Sequence, residues 1–91
     1  MSVTLFLPAV LSRLADGNKT LELSGGTVGE AINEATSKYP QLASRLKDEK
    51  GEPYAFVTFY LNDDDIRLRD GFATTLEAGD ELTVVPAIAG G

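Results

Sequence analysis

The chain has 91 residues, of which 43% are hydrophobic, with no cysteine, no histidine and a formal net charge of −6 at pH 7. This size predicts one domain, and the two missing residue types argue against disulfides, metal sites and an independent enzyme, so no catalytic residue is assigned. The acidic balance argues against nucleic acid and anionic membranes as partners, because both are bound through clustered Lys and Arg.

The first 23 residues predict a β-hairpin with a wide loop. Apolar and other residues alternate from Val3 to Leu7 and again from Lys19 to Leu23, as expected for two strands. Leu21 and Leu23 would face the core in the second strand. The segment from Pro8 to Asp16 is interpreted as the connection between the two strands, and Asp16-Gly17-Asn18 supplies its turn residues.

A helix of about three turns is predicted next. Thr27 and Glu30 have the spacing of a capping box, in which each side chain accepts from a free backbone N–H at the start of a helix. An apolar stripe follows, and Pro40 ends the helix. The residues of the stripe are Val28, Ile32, Ala35 and Tyr39.

The second half of the chain predicts a short helical turn, a loop and the strongest strand. Leu42, Ala43 and Leu46 have helical spacing, and the charged segment from Lys47 to Pro53 is expected to be the most mobile loop. Aromatic and β-branched residues from Tyr54 to Leu61 favour a strand.

The remaining residues predict turns and two further strands. The turn from Asn62 to Asp65 contains three consecutive aspartates, but it lacks the spacing of a calcium-binding loop. Ile66 and Leu68 are interpreted as a brief edge strand. A turn from Ala78 to Glu81 leads into the last strand, from Leu82 to Val85.

These elements predict an α+β domain, in which one main helix packs on one face of a mixed sheet of four to five strands. The first and last strands would lie in parallel at its centre. Residues 1–86 are assigned to the folded domain and residues 87–91 to a flexible tail. Neither a signal-peptide pattern nor an apolar run of about 18 residues is present, so a cytoplasmic protein is expected.

The tail ends in Gly90 and Gly91. Without a Cβ, two such residues can run extended through a narrow channel, which would leave the main-chain carboxylate as the reactive group. Residues 87–91 would span roughly 17 Å when extended. A frayed end or a cloning remnant are the alternatives for the two glycines alone.

Several segments together resemble the ubiquitin-like β-grasp sulfur carriers. The most specific are Asn62-Asp63-Asp64-Asp65-Ile66-Arg67, Gly79-Asp80-Glu81 and Pro86-Ala87-Ile88-Ala89-Gly90-Gly91, with Gly71 and Thr75-Leu76 between them. The chain resembles the molybdopterin synthase small subunit and the thiamine sulfur carrier, and it resembles more closely the sulfur carrier of actinobacterial cysteine biosynthesis. The resemblance covers essentially the whole chain and implies a β-grasp fold.

The resemblance also implies a function for Gly91, with Gly90 beside it. An E1-like adenylating enzyme would use ATP to activate the Gly91 carboxylate, which would become a thiocarboxylate, and the chain would bind no cofactor of its own. The sulfur would pass to a synthase, either a cysteine synthase or the molybdopterin synthase large subunit. A metallopeptidase is a further candidate partner. Thiamine synthesis is another candidate pathway, and a ubiquitin-like modifier, joined through Gly91 to lysines, is the alternative function.

Strand alternation predicts a partner docking face on the side of the sheet without the helix. Phe6, Thr58, Tyr60 and Val85 would point there, with Phe56. Coverage by the charged loop, or by a second copy, is the alternative. In the tail, Ile88 and Ala89 would contact the partner, and the alternative for Ile88 is that it folds back onto the domain.

Overall fold

The computed structural model describes residues 2–54 and 57–86. The predicted α+β architecture is confirmed: five strands form one mixed sheet in the order β2-β1-β5-β3-β4, and the main helix packs on one face. The strands are β1 (Val3–Phe6), β2 (Thr20–Leu23), β3 (Val57–Leu61), β4 (Asp64–Asp65) and β5 (Glu81–Pro86). The helices are α1 (Ala9–Ser12), α2 (Val28–Lys38) and α3 (Ala43–Leu46).

The sheet has the predicted parallel pair at its centre. β1 pairs with β5 in parallel, with Leu5 opposite Leu82, and pairs on its other side with β2 in an antiparallel hairpin. β5 pairs antiparallel with β3. Leu5, Leu82 and Phe59 are all buried on the helix side of the sheet, so the alternation in the sequence gives the correct inward face of each strand.

The main helix begins as the capping spacing predicts. The Thr27 hydroxyl accepts from the Glu30 backbone N–H at 3.1 Å. The Glu30 carboxylate accepts from the N–H of Gly26 at 2.8 Å, one residue before the position expected for a capping box. The stripe residues Val28, Ile32 and Ala35 are fully buried, whereas Tyr39 is half-buried just beyond the helix end.

A close approach of backbone to backbone fixes the start of the same helix. A Cβ on Gly25 would lie 2.5 Å from the backbone nitrogen of Ala31. Since that neighbour is main chain, it cannot rotate away, and only glycine fits. At Gly26 a Cβ would lie 3.2 Å from the carboxylate of Glu30, which is a flexible side chain.

The expectation of a wide loop between the first two strands is wrong, because most of the segment from Pro8 to Asp16 is helical. It forms α1 and then a 3₁₀ turn, Arg13–Ala15. Leu11 and Ala15 are buried in the core, and this four-residue spacing lets one helical face pack inward. Asp16 then reverses the chain with a left-handed backbone, at φ 55°.

The expectation of an edge strand at Ile66 and Leu68 is also wrong. The edge strand is β4, two residues earlier, and Ile66–Leu68 is a 3₁₀ turn. The Asp65 carboxylate accepts from the Arg67 N–H at 2.9 Å and so stabilises this turn. Ile66 is buried but Leu68 is 85% exposed, so their alternation does not reflect two inward-facing strand residues.

Two of the segments that resemble the sulfur carriers, the one that begins at Asn62 and the one that ends at Glu81, meet at one end of the sheet. Asn62 has a positive φ of 56°, and its N–H donates to the carbonyl of Glu81 at 2.7 Å. In return the Glu81 N–H donates to the Asn62 side-chain oxygen at 3.1 Å. The Asn62 amide also donates to Asp80 at 3.3 Å. These bonds join the turn after β3 to the turn before β5.

The charged segment from Lys47 to Pro53 is a hydrogen-bonded turn. Lys47 and Pro53 form an isolated antiparallel bridge, and the Asp48 carboxylate accepts from the N–H groups of Lys50 and Glu52. Within residues 2–54 and 57–86, none of the helices has the length and the apolar character needed to cross a membrane.

Candidate functional site

The candidate site is the sheet face that carries no helix, which we call the outer face. The strand registers place Thr83 of β5 opposite Phe6 of β1 on one side and opposite Tyr60 of β3 on the other. These three side chains therefore form a row across the middle of the sheet. Val85 lies two residues further along β5 and is paired with Thr58.

The outer face is partly apolar and open to solvent. Val85 is 44% exposed, and Phe6, Thr58, Thr83 and Tyr60 are half-buried. Each of these residues alternates with a buried neighbour in its strand, because successive side chains point to opposite faces. The structure thus brings together the four residues predicted for docking, and adds Thr83 at their centre.

Acidic side chains lie around the row formed by Phe6, Thr83 and Tyr60. Glu81 and Glu22 are exposed on the neighbouring positions of β5 and β2, and the Thr4 hydroxyl donates to the Glu22 carboxylate at 3.1 Å. On the other margin, Asp65 of β4 is paired with Tyr60. The outer face therefore combines an apolar centre with an acidic rim, which suits a partner with an apolar patch bordered by cations.

Both residues of β4, at the margin of this face, form ion pairs with arginines. The guanidinium of Arg67 donates to the Asp65 carboxylate at 2.6 Å. The hydrogen bonds from the Arg67 side chain and backbone, together with its charge, lower the pKa of Asp65 below its ordinary value. The same carboxylate raises the pKa of Arg67. Arg69 lies 3.6 Å from Asp64, so two of the three consecutive aspartates are matched with arginines.

Titratable side chains do not gather into a metal site in the part of the chain that the structure describes. Residues 2–54 and 57–86 contain no group of three or more Asp or Glu side chains that could hold an ion. The aspartate run from Asp63 to Asp65 forms part of a turn and of β4.

The outer face reaches Pro86, the last described residue of the chain. Pro86 ends β5 and is paired with Val57, next to the pair of Val85 with Thr58. The predicted tail residues Ile88, Ala89, Gly90 and Gly91 lie outside the described residues, as does Phe56, and their roles stay predictions.

Known proteins share both the sequence and the fold of this chain. The model of the ThiS family matches residues 5–91. The chain belongs to the ThiS family. The sulfur carrier protein CysO of Mycobacterium tuberculosis is 38% identical over 93 aligned positions, which cover 100% of both chains. This full-length match confirms the resemblance to sulfur carriers.

A solved structure of the same kind supports the ThiS-family assignment. The matching chain in the crystal structure of the Amycolatopsis orientalis BexX/CysO complex is 36% identical, with a TM-score of 0.90, and the match covers 98% of this chain and 99% of that one. The predicted β-grasp fold is thereby confirmed. The small archaeal modifier protein 3 of Haloferax volcanii is 37% identical over 65 residues, covering 71% of this chain and 70% of the relative.

The sequence alone missed two features of this surface. Thr83 is not among the residues predicted for docking, because its central place between Phe6 and Tyr60 depends on the strand order and register. The ion pair of Asp65 and Arg67 at the margin depends on the 3₁₀ turn after β4. The sequence signal for it is the Asp-x-Arg spacing, because an Asp carboxylate can accept from the backbone N–H two residues later.

Proposed function

We propose that this protein is a sulfur carrier that holds sulfur at its own C-terminus. The Gly91 carboxylate is the acceptor, and the folded domain presents it to partner enzymes. The observation that carries the proposal is the end-to-end match with a protein named as a sulfur carrier, because it includes the whole domain and the terminal Gly90 and Gly91.

The chemistry needs two steps at one carbon atom. A carboxylate oxygen of Gly91 attacks the α-phosphorus of ATP and displaces pyrophosphate, which gives a mixed anhydride with AMP. Hydrogen sulfide ion from a sulfide donor then attacks the carbonyl carbon, and AMP leaves with the oxygen that joined the carbonyl carbon to the phosphorus, while the proton of the sulfide is lost to solvent. The product is a thiocarboxylate, whose sulfur can attack an intermediate on the accepting synthase. The nucleotide site and the general base belong to the partners.

The composition supports a carrier that depends on partners. The chain has neither histidine nor cysteine, which are the residues most used as a base or as a sulfur nucleophile. A small domain with an extended tail can instead place its terminal atom in the active site of another protein. The five residues after Pro86 reach roughly 17 Å when extended.

The outer face is the proposed docking surface for the E1-like adenylating enzyme. Its row of Phe6, Thr83 and Tyr60 supplies two aromatic rings at the centre of an interface, and the acids around it supply complementary charge for a basic partner. Binding there would hold the start of the tail near the partner's entrance. Ile88 and Ala89 would then contact the partner's channel as Gly91 enters it.

Cysteine biosynthesis is the favoured pathway, with a cysteine synthase as the sulfur acceptor. Molybdopterin synthesis, with its synthase large subunit, and thiamine synthesis are the next candidates. The relative from Amycolatopsis orientalis supports a partner-dependent role, because its structure is that of a complex with another protein, BexX. A metallopeptidase that releases the product is a further proposed partner.

The second candidate function is a protein modifier. It is favoured by the identity to the small archaeal modifier protein 3, and it would use the same adenylated Gly91. The two functions differ in the atom that attacks the activated carbonyl carbon, which is sulfur for a carrier and a lysine nitrogen for a modifier.

The first test is pyrophosphate exchange catalysed by an E1-like enzyme from the same genome. Exchange into ATP should require this chain and should be lost on deletion of Gly91 or on addition of one alanine after it, since both move the carboxylate. Gln41→Glu, an exposed change beside the helices, is the control and should behave like the parent. Exchange that persists without Gly91 would contradict the proposal. Blotting of cell lysate for conjugates of higher mass tests the modifier function.

A further inference from the structure

A groove opens on the helix side of the sheet, at the end where β5 finishes. Its volume is about 490 Å³, which lies in the range of roughly 300–1,000 Å³ typical of ligand pockets. The groove is lined by α1 and the turn after it, by α3, by Tyr54 and by the first residue of β3. Pro86, the last described residue of β5, also lines it.

Apolar side chains line this groove and are open to solvent. Val10 is 58% exposed, and the half-buried Leu14 and Val57 belong to the same lining. A single exposed valine would need no explanation. Several apolar side chains on one concave surface instead indicate that an apolar group can be bound there.

The charged residues of the lining are two arginines. Arg13 and Arg45 are both exposed. Within residues 2–54 and 57–86, the salt bridges are those of Arg67 and Arg69, so neither arginine of the groove has a carboxylate partner in that part of the chain. Each guanidinium group can therefore pair with an anionic group of another molecule.

The sequence keeps acidic residues out of the segments that contribute to the groove. The chain has 14 Asp and Glu residues, and none of them falls within residues 1–15, 35–47, 53–62 or 82–91. All the lining residues belong to these four segments. The lining thus has two positive charges and no negative one, in a protein whose net charge is −6.

We propose that this groove binds a short acidic segment of a partner protein that inserts one apolar side chain. The apolar side chain packs against Val10 and Val57. Neighbouring carboxylates of the segment pair with Arg13 and Arg45. The charge of the groove is complementary to such a segment, and the exposed apolar lining gives the segment a place to anchor.

Two observations favour a protein segment over other anions. The arginines of the groove are exposed, which is typical of the polar rim of a protein interface, whereas a small-molecule site buries most of its ligand. A long polyanion such as nucleic acid needs clustered Lys and Arg, and the net charge of −6 repels it. A segment with one apolar residue and a few carboxylates fits both observations.

The groove differs from the outer face in position and in charge. The groove lies on the helix side of the sheet, and the outer face lies on the opposite side with acidic side chains at its margins. A partner that binds the outer face alone leaves the groove uncovered. One consequence rests on the proposed carrier function: the enzyme that loads the sulfur and the protein that accepts it can be bound at the same time.

Methyl NMR of the full chain with a probe peptide tests the proposal. The probe is acetyl-Asp-Glu-Leu-Glu-Asp-amide, and its control has serine in place of leucine. The probe is expected to shift the methyl resonances of Val10 and Val57 in a saturable way, with a Kd of about 1 mM or lower. No saturable shift up to that concentration, or equal shifts with the serine peptide, would overturn the proposal. The titration needs neither ATP nor an adenylating enzyme, so its failure is distinct from a failure of sulfur loading.

Charge reversal tests the arginines with a matched control. The pair Arg13→Glu and Arg45→Glu should weaken binding of the probe by at least about tenfold, because like charges then face each other. The pair Lys19→Glu and Lys50→Glu makes the same change of charge at exposed positions outside the lining and should bind as the parent does. Equal weakening in both pairs would overturn the specific role of the arginines.

The apolar anchor is tested separately, by a change that leaves the charge alone. Val10→Ser should weaken binding of the probe, whereas Leu68→Ser, at an 85% exposed position outside the lining, should not. Two further outcomes would overturn the proposal by assigning the groove to another occupant. Inorganic phosphate that shifts the same valines as strongly would indicate a small-anion site. Shifts of these valines that appear without peptide as the protein concentration rises would indicate a second copy of this chain.

Discussion

The substitution Tyr60→Asp is predicted to block activation by the adenylating enzyme while the domain stays folded. Tyr60 is half-buried on the outer face, next to Thr83 in β5 and opposite Asp65 in β4. The change removes an aromatic ring from the centre of the proposed interface and places a second carboxylate there. Gln41→Glu adds the same charge beside the helices and serves as the control.

The expected size of the effect follows from this position. Loss of a central tyrosine from an interface costs about 2 kcal/mol or more, which corresponds to a rise in Kd of roughly 30-fold. The cost in stability should be smaller, since like charges directly opposite in a sheet cost about 0.2–1 kcal/mol. For a domain of this size, that loss lowers Tm by up to about 8 °C.

The assay measures Kd for the adenylating enzyme by calorimetry and Tm by circular dichroism. A rise in Kd of about 30-fold for Tyr60→Asp, with Gln41→Glu unchanged, is the expected result and rests on the hot-spot magnitude above. A change in Kd below about threefold, in a protein that is shown to be folded, would refute the docking role of the outer face, because threefold is well under 1 kcal/mol.

Three further predictions concern stability and are read from unfolding curves. Thr27→Ala should lower the free energy of unfolding by about 0.5–2 kcal/mol through loss of the helix cap, and Thr27→Ser should restore most of it. Gly25→Ala should cost about 1–3 kcal/mol, because its Cβ would meet backbone, while Gly26→Ala should cost less; equal losses would contradict this account. The lowered folded-state pKa of Asp65 contributes stability above its unfolded pKa of about 3.9, which is lost as the pH falls through the folded value. Arg67→Gln should therefore reduce the fall in urea midpoint between neutral and acidic pH, and an unchanged fall would contradict the assignment.

The elements that the sequence predicted correctly are those whose local pattern and burial agree. The strand alternation around Leu5 and Leu82 and the helical stripe through Ile32 each describe a face that is buried in the structure. Thr27 correctly predicted the start of the main helix, because its capping hydrogen bond joins residues only three positions apart in the sequence. Local spacing was sufficient in these cases.

The two wrong assignments arose where a short pattern fits two structures. The turn residues around Asp16 suggested a loop, although Leu11 and Ala15 have the spacing of a buried helical face. At Ile66 and Leu68 an apolar pair two residues apart suggested a strand. The capping hydrogen bond of Asp65 stabilises a 3₁₀ turn there instead, and the exposure of Leu68 shows that this apolar residue was not a burial signal.

The outer face could be predicted because each strand contributes by simple alternation. The groove could not, because its lining comes from four separate segments. Arg13 and Arg45 lie 32 positions apart in sequence, and they line one groove only because α1 and α3 pack at the same end of the sheet. Nothing in the local sequence around either arginine indicates the other.

The most direct test of the central claim is the intact mass of the protein after incubation with the adenylating enzyme, ATP and a sulfide donor. The mass should rise by the difference between one sulfur and one oxygen atom, and fragmentation should place that change on Gly91. Two results would contradict the claim that this protein carries sulfur at its terminal carboxyl group. One is an unchanged mass although the enzyme consumes ATP in the presence of the chain. The other is a sulfur atom found on any other residue.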